Sequence, residues 1–157
     1  MQERRHRFPR RLRLKRRRLI RPLFDRTRTD VHTHAAGCLR ALHRLAPTAE
    51  VSNGPAPTLQ IGFAPGRAGG SAVTRTRIRR LMREAFRTQR LAFEEAVSAQ
   101  GHARDEVLTV MLLFRGRPDD SGAIARDLPR LLKRIASFYV RDKVEEDRVK
   151  GKTPREH

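Results

Sequence analysis

A single cysteine, Cys38, excludes an internal disulfide. It reads as a small buried hydrophobe and leaves the cytosol as the default compartment. Nowhere does the chain approach the roughly 20 consecutive apolar residues that a membrane-spanning helix needs. Its N-terminus is charged but lacks the apolar run of a signal peptide. Apolar residues make up 38%, short of the roughly 45–50% usual for globular domains, so a small core flanked by tail is expected. Acid is scarce as well: 17 Asp and Glu face 36 Lys and Arg, a net charge of +19. A compact state with that charge repels itself and calls for an anionic partner. Nucleic acid comes before a membrane surface, because phosphate neutralisation supplies affinity at once.

The sequence also offers no catalytic set of its own. Two-metal phosphodiester hydrolysis needs convergent carboxylates. Asp119-Asp120, beside Pro118, reads instead as a helix N-terminal signal. His32 and His34 form an H-x-H without a third ligand, which does not make a metal site.

The 157 residues suit one domain. Between Arg4 and Arg28 there are 13 Lys or Arg and one acid, Asp25. Residues 1–10 lack apolar periodicity and are expected to be disordered or ordered by a ligand. Leu19, Ile20, Leu23 and Phe24 form one apolar stripe of a short helix, in which Pro22 removes an amide. Residues 31–45 hold one or two strands without clear edges, and 46–58, with three prolines and Asn53-Gly54, read as a loop. Leu59, Ile61 and Phe63 alternate with Thr58, Gln60 and Gly62 as a half-buried strand does. A Gly-rich connection over 64–71 leads into the strongest helix, near 75–90. Its apolar face is Ile78, Leu81, Met82, Ala85 and Phe86. Val107–Phe114 reads as a strand buried on both faces, so strand, helix and strand form a crossover unit with a parallel pair. A last helix is predicted from about Ser121 to Tyr139, where Pro129 marks a kink or a later start after Asp127. Residues 141–157 are charged and aperiodic and read as a disordered tail, leaving a folded core of about 11–140.

The polar face of the central helix carries Thr76, Arg77, Arg79, Arg80, Arg83, Arg87 and Arg90, with Glu84 as its one acid. Solvated helix faces mix signs, because i,i+4 pairs of opposite charge stabilise them. Arg79, Arg83 and Arg87 stand at i+4 spacing and repel one another, which is tolerable when phosphates lie against them. Arginine, whose planar fork grips phosphate and stacks on unpaired bases, favours structured RNA over a membrane.

The block Gly62-Phe63-Ala64-Pro65-Gly66-Arg67-Ala68-Gly69-Gly70-Ser71-Ala72-Val73-Thr74-Arg75-Thr76-Arg77-Ile78-Arg79-Arg80-Leu81-Met82-Arg83-Glu84-Ala85-Phe86-Arg87 resembles, without a gap, the signature of the bacterial ribonuclease P protein component. The basic run Leu14–Phe24 resembles that family's N-terminal segment, and Asp105–Phe114 with Leu128–Ile135 its last strand and helix. The likeness spans most of residues 11–140. Four departures stand out, the first being Pro22, which is unusual in the family's N-terminal helix. The family's Arg-Asn-Arg centre is Arg75-Thr76-Arg77, which keeps a hydroxyl and loses an amide. Ala68 replaces a basic residue, and Ile20 an aromatic one.

The resemblance implies an α+β fold: a two-layer α-β sandwich with a mixed sheet of about four strands, three helices and a left-handed βαβ crossover. It implies the protein subunit of ribonuclease P, an endonuclease that removes the 5′ leader of precursor tRNA. In that enzyme the RNA subunit does the catalysis and holds most of the Mg²⁺. By this likeness Arg67, Ser71, Arg75, Thr76, Arg77, Arg79, Arg80, Arg83 and Arg87 meet the RNA subunit, and Arg16, Ile20 and Phe24 line a cleft for the single-stranded leader. The protein is then a cytoplasmic monomer within a ribonucleoprotein and does not cleave alone.

Other readings fit less well. Gly66-Arg67-Ala68-Gly69 matches the loop of KH domains but joins a strand to a helix rather than two helices. No Gly-Lys-Ser/Thr follows it, as a Walker loop requires. A DNA-reading helix presents Asn, Gln or mixed side chains to base edges, not solid arginine. A ribosomal structural protein fits the composition, but the ungapped central block decides against it.

Overall fold

The computed structural model describes residues 8–52, 54–66, 70–99 and 105–151. The apolar run near residue 110 becomes β4 (Glu106–Phe114), an inner strand of the sheet. On one side it pairs antiparallel with β2 (Leu39–Pro47), which in turn pairs with β1 (His32–Ala36). On the other side it pairs parallel with β3 (Leu59–Ala64), giving the order β1-β2-β4-β3. The parallel β3–β4 pair is the expected product of a strand–helix–strand unit. The hairpin closes through Gly37-Cys38, with Ala36 opposite Leu39 and Gly37 at φ 54. A Cβ at Gly37 would also run into the Asp127 carboxylate, so glycine is required there twice over.

Helices cover both faces unequally. The long helices α3 (Ala72–Ala99) and α4 (Ile124–Gly151) cover one face. Ile78, Met82, Phe86, Leu128, Leu131 and Ile135 pack there on Leu39, Ile61, Leu108, Val110 and Leu112. Phe86 is fully buried and meets Phe8, Phe63 and Phe93 at ring-centroid distances of 5.7, 6.0 and 6.3 Å. Against the other face lie the short helices α1 (Arg17–Leu23) and α2 (Thr48–Val51). Leu14, Leu19, Leu23 and Val51 meet Leu42, Ala46, Val107 and Met111 there. Every second residue of β2 and β4 thus belongs to one core or the other, as strand alternation demands. The result is the expected α+β sandwich on a four-stranded mixed sheet. No helix among the described residues is long and apolar enough to cross a membrane.

Several boundaries differ from the sequence reading. Phe8 is 6% exposed and a 3-10 turn spans Arg10–Leu12, so order begins before residue 11; residues 1–7 lie outside the described residues. Periodicity missed this because Phe8 and Leu12 act alone, each filling a gap in the helix-side core. The segment then crosses from that core to the other, with Leu14 N–H donating to Ile61 O at 3.0 Å on β3. The loop read at 46–58 begins later, because β2 runs to Pro47 and α2 occupies Thr48–Val51. The last helix starts at Ile124, after a 3-10 stretch over Pro118–Ala123, and Pro129 lies inside it. It also continues to Gly151, where a charged tail was expected from Arg141; residues 152–157 lie outside the described residues. Charge without apolar rhythm does not end a helix. Glu, Lys and Arg are good formers, and no Pro or Gly interrupts before Gly151.

The seam between α4 and the hairpin is polar. Tyr139 Oη and His43 Nδ1 lie 2.6 Å apart, and His43 Nε2 is 2.8 Å from His34 Nδ1. His43 is fully buried, and burial above all pushes its pKa down to about 3. Phe138 lies over His32, His34 and His43. At the other end of the seam, Cys38 N–H donates to buried Asp127 at 3.0 Å. Burial and the nearby Asp127 carboxylate push the Cys38 thiol up to about 11, which keeps it protonated at neutral pH.

Candidate nucleic-acid interface

The start of α3 is set by Ser71, whose hydroxyl accepts Thr74 N–H at 3.2 Å, the N-cap bond that satisfies an orphan amide. The preceding Gly70 has φ 58, and Arg67 lies outside the described residues. With Ile78, Met82, Phe86, Phe93 and Val97 turned inward, the helix presents Arg75, Thr76, Arg77, Arg80 and Arg83 to solvent, while Arg79 and Arg87 are half-buried. Leu81, read above as part of the inward face, is 39% exposed and lies among Arg77, Arg80 and Arg83. Four residues of one face already fill the space above the sheet, so a fifth at its margin stays wet.

The arginines are not equivalent. Arg87 is held by Glu84 through contacts of 2.6–3.2 Å, and that carboxylate raises its pKa. Arg83 shifts the other way, first through partial burial and then through repulsion from Arg13, Arg79 and Arg80. Arg13, from the N-terminal segment, therefore belongs to the cluster. Sequence reasoning missed it because only the turn at Arg10–Leu12 brings it to α3. Such mutual repulsion lowers the cost of taking up an anion.

A second concavity lies on the opposite sheet face, between the end of α1 and the strands. It is a cleft of about 360 Å³, lined by Leu23, Phe24, Asp25, Arg26, Arg28, Val31, Thr33, Arg40, Leu42 and Leu113. Phe24 is there, 51% exposed. Ile20 and Arg16 are not among the lining residues. Ile20 packs on the core between α1 and the sheet, and Arg16 Nη1 donates to Val51 O at 3.1 Å, joining α1 to α2. Arg26, Arg28 and Arg40 were not foreseen. Arg40 could have been found from the hairpin register, which puts it on the same face as Thr33 and Leu42.

An ion-pair chain anchors the wall of this cleft. Arg44, 2% exposed on β2, reaches Asp30 at 3.0 Å and Glu50 at 2.8 Å, and Asp30 also holds Arg28 at 2.8 Å. The Arg28 bond, then Arg44, brings the Asp30 pKa down to about 2. Both carboxylates are half-exposed and can rehydrate if Arg44 is removed. Arg44→Met is therefore expected to change global stability by no more than about 1–2 kcal/mol, while amide exchange speeds up over residues 28–31. Unchanged exchange there would show that packing, not Arg44, holds the segment.

The described residues offer no donor set for Mg²⁺: no group of three or more His, Cys, Asp or Glu is arranged to hold a metal. The Asp120 carboxylate accepts Arg117 N–H at 2.8 Å at the start of the 3-10 helix Pro118–Ala123, which fits its reading as a helix N-terminal signal.

A solved structure shares the architecture. One ribonuclease P protein from Staphylococcus aureus matches with 18% identity and TM-score 0.50, over 82% of this chain and 92% of that chain. Another structure of the S. aureus protein matches with 17% identity and TM-score 0.49, over 78% and 93%. No curated protein sequence matches the chain. The family model described as Ribonuclease P matches residues 8–135. The chain belongs to that family, the bacterial ribonuclease P protein component. Membership carries a part in tRNA processing and association with ribonuclease P RNA.

Proposed function

We propose that the chain is the non-catalytic protein subunit of ribonuclease P, gripping the RNA subunit along α3 and guiding the precursor-tRNA 5′ leader through the cleft beside α1. The observation that carries this reading is the arginine row on a capped, rigid helix. Its guanidinium groups repel one another in the free protein and are relieved by phosphate. Arg75, Arg77, Arg79, Arg80 and Arg83, with Thr76 and Ser71, bind the RNA subunit; Arg67 joins them from the preceding loop, and Arg87 contributes less because Glu84 already neutralises it. On the other face Phe24 stacks an unpaired base, in a manner tolerant of sequence. Arg26, Arg28 and Arg40 supply positive charge for the leader backbone. Arg16 and Ile20 shape this cleft from behind. The RNA subunit holds the Mg²⁺ that activates water, and the protein raises the local concentration of substrate at that centre. The setting is the cytoplasm, with one protein copy per particle.

The test is direct. Protein freed of RNA is expected to leave precursor tRNA intact in Mg²⁺, and addition of a bacterial ribonuclease P RNA to restore leader removal at low salt. Metal-dependent cleavage by RNA-free protein would overturn the subunit role.

A further inference from the structure

We infer that the outward face of α4 is a second phosphate-binding surface, which takes a further segment of the same RNA subunit that α3 grips. The inference rests on the RNA-subunit reading above. Between Ala125 and Ser137 the exposed charged residues of α4 are Arg126, Arg130, Lys133 and Arg134, all basic. Asp127, the one acid in that span, is turned inward at 1% exposure and holds Arg126 Nε at 3.1 Å. The Arg126 side chain is still 67% exposed. Arg134 donates to Ala35 O on the hairpin, which fixes its direction along the flank. Among the described residues no carboxylate lies within ion-pair distance of Arg130, Lys133 or Arg134.

Composition alone does not explain this. The same helix carries Glu145, Glu146 and Asp147 further on, and α3 carries Glu94 and Glu95 in its second half. Acid is available on both helices yet kept off this stretch, where Arg126, Arg130 and Arg134 follow at i+4, about 6 Å apart along the axis. Like charges at that spacing destabilise a free helix.

Geometry selects the partner. The cleft beside α1 opens on the sheet face opposite to the one α4 covers. The turn Pro118–Ala123 packs against both α3 and α4, and exposed Arg115 and Arg117 lead into it. That turn itself carries exposed Asp119 and Asp120, so the arginine rows of α3 and α4 lie on either side of a short acidic stretch. One extended, structured polyanion fits both.

The experiment compares wild type with the full-length triple variant R126Q/R130Q/K133Q in binding ribonuclease P RNA across a salt series. All three side chains are exposed, but R126Q also takes Arg126 from buried Asp127, so circular dichroism checks the fold and the double variant R130Q/K133Q, which spares that ion pair, is expected to show the same loss in proportion. The variant is expected to bind about tenfold more weakly at moderate salt, with a log-log salt slope shallower by roughly 2 to 3, at 0.7–0.9 per lost phosphate contact. The double lysine variant R126K/R130K, with Lys133 retained, is expected to keep the wild-type slope. Mature tRNA and the leader-length dependence of precursor binding serve as the second arm and are expected not to change. Equal losses toward mature tRNA or unstructured poly-U would overturn the proposal in favour of a non-specific patch. An unchanged affinity and slope in the triple variant, beside normal wild-type binding, would also overturn it. Failure of wild type itself to bind the RNA would instead sink the subunit reading.

Discussion

Arg79→Ala and Arg83→Ala together are expected to weaken binding of ribonuclease P RNA by roughly ten- to a hundredfold at moderate salt, and each to flatten the log-log salt dependence by about 0.7–0.9. The two side chains lie one turn apart beside Arg13, and Arg83 already feels Arg13, Arg79 and Arg80 as repulsion. The same repulsion means that the free protein should not suffer. Alanine is the best helix former, and removing like charges at i+4 relieves the helix. Thermal stability is therefore expected to hold or rise while RNA affinity falls, a combination that a merely structural role cannot produce. Arg87→Ala makes an internal comparison. Glu84 neutralises Arg87 in the free protein, so its loss should cost less affinity than that of either neighbour. Salt-series binding measurements with both single variants decide the matter. If neither slope changes, this face of α3 is ordinary solvated surface.

Acid is expected to destabilise the protein well above the range in which carboxylates titrate. An unfolded histidine takes up a proton near pH 6.5, whereas His43 in the folded chain does so only at about 3. Between those values the unfolded state binds the extra proton, so stability rises with pH across this window and is lost as pH falls. From pH 7 to pH 5 His43 alone accounts for about 2 kcal/mol. His34 is lowered too, by burial first and then by His32 and Arg134, and acts in the same direction. Asp30 and Asp127 are also lowered, but their contribution fades only below the ordinary carboxylate range. Denaturant melts at pH 7, 6 and 5 isolate the histidine effect. His43→Gln keeps hydrogen-bonding capacity without the titration and should flatten the profile, even where it lowers stability at pH 7. A variant whose profile matches wild type would show that the buried histidine is not the source.

How far the sequence could be read depended on what kind of signal each part carried. β3, β4 and the start of α3 announced themselves through strict period or unbroken apolarity, so the crossover unit and the arginine row could be placed from residues alone. Leu81 illustrates the limit of such patterns. Its spacing fits the apolar face, but the width of the contact decides burial, and contact width depends on the neighbouring strand. The cleft was legible only in outline. Phe24 was identified, while Arg26, Arg28 and Arg40 depend on a turn and on a hairpin register that no local rule fixes. Arg16 and Ile20 were placed in the lining by their position in the run, yet each is occupied elsewhere, by Val51 O and by the core. His43 and Tyr139 lie 96 residues apart, and Arg44 lies 14 and 6 residues from Asp30 and Glu50; nothing in a one-dimensional reading joins His43 to Tyr139. The far end of α4 differs for another reason: helix propensity carries it to Gly151 without apolar rhythm.

The passage of the N-terminal segment along β3 has an effect beyond packing Phe8 and Leu14. Leu14 N–H already takes the Ile61 carbonyl, so the middle of the β3 edge is occupied as a pairing site for a strand from another molecule. A neighbouring copy that tried to add there would have to peel away a stretch dense in arginine. The segment that brings Arg13 beside Arg83 thus also shields part of a sheet edge.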